Sequence, residues 1–381
     1  MRVRPDATGV GRLCVERDGI QQLIDRLTTD GYRVVGPRVR DDAIVLGAIT
    51  STADLPVGVG DEQDAGCYRL VEAGDGRMFA HSIPAQPWKR YLYPPTERLW
   101  QARSEGGGFA FADGGEDGVA RYALFGVRAC DLTALRTLDL VLGRKGAADR
   151  RYMARRERGF IVAANCSRSA ASCFCASMGS GPRPSGYDLA IGEFVDGGTP
   201  RYLITAGSDR GAAVLAKLDG RPASDGDVAA SEAALEQAAG SQVRSMVPDV
   251  AALLRRNLEH RQWNQVAERC LSCANCTLVC PTCFCASVED TTDLSGTVAE
   301  RWRKWDSCYT SDFSYIHGGS IRGSGASRYR QWITHKLSSW WQQFETSGCV
   351  GCGRCITWCP VGIDITQEAR TLWESEEGIE R

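Results

Sequence analysis

The sequence predicts a mixed α+β protein. An N-terminal α/β domain spans residues 1–245, and a helical, loop-rich domain organised around cysteines spans 246–381. Three observations predict this. Short apolar runs of strand character alternate with helical periodicities through the first two thirds of the chain, the pattern of a partly parallel sheet with helices on it. A stretch rich in Ala, Asp, Ser and Gly over 221–240 then interrupts the pattern. Beyond it, one cysteine spacing occurs twice. The length of 381 residues suits two or three domains, and 43% apolar with 24% charged residues is ordinary for a core-forming chain.

Taken in order, Asp18 is placed to cap a helix on which Ile20, Leu23, Ile24 and Leu27 recur at helical spacing, with Gly31 ending it. Residues 32–35 and 43–48 read as strands, and the glycine- and aspartate-rich 104–118 as an exposed loop. Residues 122–127 form a buried-type strand that runs into Arg128-Ala129-Cys130-Asp131. There Asp131 is placed to cap a helix carrying Leu132, Leu135, Leu138 and Leu142. A second buried-type strand, 160–164, ends at Asn165-Cys166, and 187–191 and 201–205 are weaker strand candidates. Residues 221–240 read as a surface excursion and helical linker. One helix from Pro248 to Glu268 then delivers the chain to Cys270.

The repeated spacing is Cys270-x2-Cys273-x2-Cys276-x3-Cys280-Pro281 and Cys349-x2-Cys352-x2-Cys355-x3-Cys359-Pro360. This is the bacterial ferredoxin run, and it specifies two [4Fe-4S] clusters. Three cysteines two residues apart curl around one cluster, and the fourth ligates the other cluster, so the runs interlock. Cys270, Cys273, Cys276 and Cys359 are then one ligand set. Cys349, Cys352, Cys355 and Cys280 are the other. Zinc sites pair C-x2-C units at longer separation and fit less well. The proline after each fourth cysteine blocks helix continuation. The insert between the runs carries a helix over 327–345 whose Tyr329, Ile333, Leu337, Trp340 and Phe344 form an apolar stripe, expected to pack over the clusters and keep water off the sulfurs. Loop closure entropy rises slowly with length, so the insert leaves interlocking open.

Seventeen cysteines with eight in this spacing mean metal rather than a disulfide framework, and hence a reducing, cytoplasmic setting. A formal net charge of −2 gives no basic field for nucleic acid. No signal peptide and no apolar run of membrane-spanning length are read, so membrane association is expected only through a partner.

Cys173-Phe174-Cys175-Ala176-Ser177 recurs as Cys283-Phe284-Cys285-Ala286-Ser287. In open α/β sheets, ligands gather outside the carboxyl ends of strands. Cys130 and Cys166, both at strand ends, can therefore converge with Cys173 and Cys175. Two readings stand open: a third [4Fe-4S] cluster, or buried free thiols packing as small hydrophobes. Cys283, Cys285 and Cys308 read as thiols near a cluster, alternative ligands or core. Cys14 and Cys67 read as packing. His81, His260, His317 and His335 form no metal-binding pair, and the glycine-rich 318–325 fits neither a P-loop nor a dinucleotide fingerprint and reads as a turn. The basic stretch 144–158 reads as a solvated helix face, with docking of an acidic redox partner the alternative. No catalytic constellation is read.

A wider likeness rests on Trp88-Lys89-Arg90 with Pro94-Pro95, Gly126-Val127-Arg128-Ala129-Cys130-Asp131, Asn165-Cys166 and Cys173-Phe174-Cys175-Ala176-Ser177-Met178-Gly179. It continues in Cys280-Pro281-Thr282-Cys283-Phe284-Cys285, Trp305-Asp306-Ser307-Cys308, Ile316-His317-Gly318-Gly319 and Gly351-Cys352-Gly353-Arg354-Cys355. Over nearly its whole length the chain resembles the β subunit of cytoplasmic [NiFe]-hydrogenases of the sulfhydrogenase type. It is also similar to the A subunit of anaerobic sulfite reductase. The resemblance implies a subunit without an active site of its own. Such a subunit passes electrons between the small and large hydrogenase subunits and a flavin-containing diaphorase subunit that handles NADP(H). The alternatives are electron input to a sulfite reductase, a stand-alone flavin-binding oxidoreductase, and a structural iron–sulfur protein of nucleic-acid repair. The last is disfavoured by the near-zero charge and the paired runs.

Overall fold

The computed structural model describes residues 11–113 and 120–378. Eight strands form one mixed sheet in the order Arg221–Pro222, Arg12–Val15, Thr199–Ala206, Leu189–Asp196, Phe160–Ala164, Tyr122–Val127, Arg33–Arg40 and Ala43–Ala48. From Leu189–Asp196 to Arg33–Arg40 the neighbours run parallel, and the outer strands are antiparallel. The strands Tyr122–Val127 and Phe160–Ala164 carry no charged residue because both faces are covered. Successive residues serve opposite faces. Phe125 and Val162 pack with Ile20, Leu23, Ile24 and Leu27 of the helix Arg17–Thr29. Leu124 and Ile161 pack with Leu132, Leu135 and Leu138 of the helix Ala129–Leu142 and with Tyr152.

Two expected caps are replaced. Arg17–Thr29 is preceded by Glu16 without a side-chain cap, and Asp18 lies in the first turn, where its charge suits the helix dipole. Arg128 precedes Ala129–Leu142, and Asp131 lies inside that first turn, drawn away from capping by a buried partner described below.

Other differences have local causes. Much of 104–118 is a hairpin, Thr96–Glu105 with Gly108–Asp113, because Gly106 (φ +56°) and Gly107 (φ +86°) supply the two left-handed residues of a tight turn; residues 114–119 lie outside the described residues. This hairpin joins Val298–Trp305 and Ala286–Thr292 in a four-stranded sheet, so one sheet draws strands from both parts of the sequence. Residues 225–240 form a helix that packs on the main sheet, with Ser231, Leu235 and Ala238 buried, and is not a surface excursion. Its start is a capping box between Ser224 and Asp227.

The helix expected over 248–268 is two, Val250–Arg256 and Gln262–Arg269. The carbonyl of Asn257 accepts from the Trp263 indole at 2.7 Å, and His260 Nδ1 accepts from Gln262 N–H at 3.1 Å, so the backbone there is diverted from the helical pattern. The insert helix runs Gly325–Thr334, then five residues of π-helix, His335–Ser339, then Trp340–Phe344. The basic stretch is used internally only in part: Arg155 pairs with Glu97, Arg156 with Asp139, and Arg151 donates to backbone carbonyls at Arg98 and Leu99, while Arg144, Lys145, Arg150 and Arg158 are exposed. No helix among the described residues is long and apolar enough to cross a membrane.

Candidate metal centres

The two cysteine runs fold alike. Each turns on left-handed residues two and four places after its first cysteine: Ser272 (φ +52°) and Ala274 (φ +65°), then Gly351 (φ +61°) and Gly353 (φ +79°). Each then enters a short helix, Asn275–Leu278 or Arg354–Thr357. The second run needs glycine for a further reason. A Cβ at 351 would stand 2.7 Å from the Cys175 amide nitrogen, and one at 353 would stand 2.4 Å from the Ser172 carbonyl oxygen. The second run is thus pressed against the Ser172–Cys175 loop, where Phe174 N–H donates to Gly351 O at 2.9 Å. Gly353→Ala is expected to lower stability by about 2 kcal/mol or more, since left-handed strain adds to a backbone clash; a urea midpoint on the metal-free chain measures it.

Cys270, Cys273, Cys276 and Cys359 line one cavity, three from the first run and the fourth from the second; Cys355 also reaches its wall. Main-chain amides already point at two of these sulfurs, Ser272 N–H to Cys270 Sγ at 3.4 Å and Ile363 N–H to Cys359 Sγ at 3.3 Å. Tyr329 Oη and Trp332 Nε1, on two further lining residues, are buried without a hydrogen-bond partner. Buried donors of this kind need an acceptor, and the sulfides of a cluster are acceptors. Among the described residues, no three His, Cys, Asp or Glu side chains could hold a single metal ion. The thiols around a four-iron cube stand further apart than those around one ion. The donor set and the orphaned donors therefore fit a cluster.

Cys280, Cys349, Cys352 and Cys355 form the second group, and Cys349, Cys352 and Cys355 each feel the charge of Cys280. Burial pushes the Cys349 thiol up to about 12, with Lys336 pulling against it. Lys336 is itself buried. Its Nζ donates to Cys280 Sγ at 3.2 Å, Thr282 Oγ1 at 3.1 Å and the Gly348 carbonyl at 3.1 Å. It pairs with no carboxylate among the described residues, and the groups its charge faces are the sulfurs of Cys280, Cys283 and Cys349. The π-helical segment aims it there; an extra residue in the turn rotates position 336 toward the cysteines. Of the expected stripe, Tyr329, Ile333 and Leu337 are buried in the hydrophobic cluster that packs on cysteines of both groups, Trp340 is buried outside that cluster, and Phe344 is only partly buried.

Cys130, Cys166, Cys173 and Cys175 are brought together as well. The strands ending near Cys130 and Cys166 are parallel neighbours, and a bulge at Gly126 (φ +90°) re-aims the first of them. Cys173 feels Cys175 and Cys166, and Cys130 and Cys175 pack with Cys352 of the second run. Burial pushes the Cys175 thiol up to about 12, and Gln242 Nε2 donates to its sulfur at 3.2 Å. The fully buried Arg128 gives its guanidinium only to carbonyls: Ser82 at 3.0 Å, Ala164 at 3.3 Å, Phe79 at 2.9 Å, His81 at 2.6 Å and Asn165. Arg128 makes no hydrogen bond to a carboxylate among the described residues; burial pushes the Cys166 thiol up, the charge of Arg128 pulls it down, and Asp131 pushes it up.

Several residues that matter were missed. Arg128 and Lys89 lay inside quoted motifs without a role. Lys336 had a signal: it falls seven residues after Tyr329, on the apolar face, where a lysine is out of place. Arg354 and Asp131 form a bidentate pair, 2.7 and 2.8 Å, with both side chains fully buried. Cys14 is buried, but Cys67 is exposed and is not a packing residue. His81 is fully buried with neither ring nitrogen bonded, and burial holds its pKa well below the usual range. Residues 318–325 open with the turn of the hairpin Tyr315–Ile316 with Gly319–Ser320.

Two cysteine runs of ferredoxin spacing stand over a buried, largely apolar interior, and a family model for the 4Fe-4S dicluster domain matches residues 269–363. The chain is 31% identical to Sulfhydrogenase 2 subunit beta of Pyrococcus furiosus over 267 residues, 69% of this chain and 76% of that protein. The chain belongs to the sulfhydrogenase β-subunit family.

Proposed function

We propose that this chain is the electron-relaying subunit of a hydrogenase complex. It would stand between a [NiFe] catalytic module of small and large subunits and a flavin-containing subunit that handles NAD(P)(H). Residues 246–381 would form the dicluster unit and 1–245 the α/β scaffold with the additional site. The observation that carries the reading is the first cavity, lined by three cysteines of one run and the fourth of the other. Cys270, Cys273, Cys276 and Cys359 would hold one [4Fe-4S] cluster, Cys349, Cys352, Cys355 and Cys280 the second, and Cys130, Cys166, Cys173 and Cys175 a third. Each cluster, when bound, accepts and returns single electrons.

The protein's own residues do the rest. Gly351 and Gly353 let the second run seat against the Ser172–Cys175 loop, which keeps the strand-end thiols next to Cys352. Ile333, Leu337 and Ile356 exclude water, and Lys336 and Arg128 supply positive charge to a buried, electron-rich interior. Cys273 is exposed, with Leu271 (64% exposed) and Val361 beside it, so the first run is the surface port to a partner. In the intact complex, Cys276→Ala is expected to spare hydrogen-driven dye reduction at the [NiFe] module and to abolish hydrogen-driven NADP+ reduction. NADP+ reduction at the wild-type rate would contradict the relay.

A further inference from the structure

Three thiols remain once both runs and the strand-end set are assigned and Cys14 and Cys67 are set aside. Cys283, Cys285 and Cys308 line one cavity of their own, with Lys336 and Arg322 in its wall and no carboxylate. The Cys283–Ser287 loop repeats the Cys173–Ser177 loop residue for residue. Each copy also stands against a cysteine of the second ferredoxin group. Cys175 packs with Cys352, and Cys283 lies near enough to Cys280 to feel its charge. Cys308 arrives from another segment. Ala286 pairs opposite Trp305 in the hairpin, and Asp306 N–H donates to the Cys285 carbonyl at 2.9 Å, which sets Cys308 beside Cys285.

The surroundings are built for negative charge. Lys89 is 3% and Lys336 5% exposed, and neither pairs with a carboxylate among the described residues. Lys89 Nζ donates to the Cys283 carbonyl and lies 4.1 Å over the Trp305 ring, while Tyr93 Oη donates to the Phe284 carbonyl at 3.3 Å. Trp332, whose buried Nε1 has no partner, separates this cavity from the first. A core of free thiols would be closed and apolar; this one is open and cationic.

We infer that Cys283, Cys285 and Cys308 hold a further iron–sulfur cluster, a cubane on three protein thiolates with its fourth iron facing the cavity. The inference rests on the iron–sulfur reading above. Loading it displaces the three thiol protons to solvent, and Lys89, Lys336 and Arg322 offset the charge.

The test uses the full chain, purified without oxygen and reconstituted with iron and sulfide. Cys285→Ser/Cys308→Ser is expected to lose about four irons per chain while the EPR signals of the two ferredoxin-type clusters persist. Iron content equal to wild type overturns the inference. A second measurement needs no variant: in the loaded wild-type chain, Cys285 and Cys308 should resist iodoacetamide and become labelled after chelation. Labelling as fast as at the exposed Cys67 overturns the inference whatever the variant does. Absence of the ferredoxin-type signals from wild type would instead remove the proposed function.

Discussion

Asp131→Ala is expected to destabilise the chain by about 3–5 kcal/mol, the cost of stranding one partner of a buried ion pair. Asp131 lies in the first turn of the helix Ala129–Leu142, next to Cys130, and Arg354 lies two residues after Cys352. Both carboxylate oxygens accept from the guanidinium, and Arg354 Nε donates to the Pro84 carbonyl at 2.9 Å. With Asp131 gone, a guanidinium that water does not reach keeps its charge without a counterion. Unfolding by urea of the metal-free variant should begin at much lower concentration than in wild type. Asp131→Ala/Arg354→Met should recover a large part of the loss, because it removes the stranded charge as well. If the double variant is as unstable as the single, the pair is not what joins the α/β scaffold to the second cysteine run.

Lys336→Met is expected to lower the midpoint potential of the cluster on Cys280, Cys349, Cys352 and Cys355. The shift should be on the order of 60 mV or more, a tenfold change in a one-electron equilibrium. Reduction adds negative charge, and an ammonium hydrogen-bonded to a ligand sulfur at 3.2 Å stabilises the reduced state. Methionine keeps the length and apolar stem while removing charge and donor. The neighbouring Thr282 Oγ1 still donates to Gly348 O at 2.6 Å, so the loop retains a brace. An EPR-monitored redox titration separates the clusters, since Cys349→Ser identifies which signal belongs to this group. An unchanged or raised potential in that signal would show that Lys336 serves packing alone.

Much of this was legible in the sequence, for identifiable reasons. The strands Tyr122–Val127 and Phe160–Ala164 were located to the residue because continuous apolar runs bounded by polar or glycine residues admit little else. The ferredoxin spacing marks where three cysteines of each run curl together because that loop geometry is local, whereas the group that each fourth cysteine joins is a long-range matter. Asp18 and Asp131 were misread as caps because a carboxylate near a helix start serves equally as a first-turn charge or a long-range partner. For Asp131, Arg354 decided the matter from a distance of over two hundred residues. The break at Asn257 was hidden because a tryptophan indole, not a proline or glycine, ends the helix there. The π-helical turn that places Lys336 leaves no compositional trace. The sharing of a sheet between Thr96–Glu105 and Val298–Trp305 is tertiary, and no local pattern announces it.

The central claim is that the two runs exchange their fourth cysteines. The most direct measurement is EPR with iron counting on the anaerobically reconstituted full chain, wild type beside Cys359→Ser. Interlocking predicts two [4Fe-4S] signals in the reduced wild type. In Cys359→Ser it predicts perturbation of the same signal that Cys273→Ser perturbs, with the signal belonging to Cys349 and Cys352 intact. Perturbation of the Cys349 signal instead, or a wild-type chain that stays colourless and EPR-silent after dithionite, would contradict it.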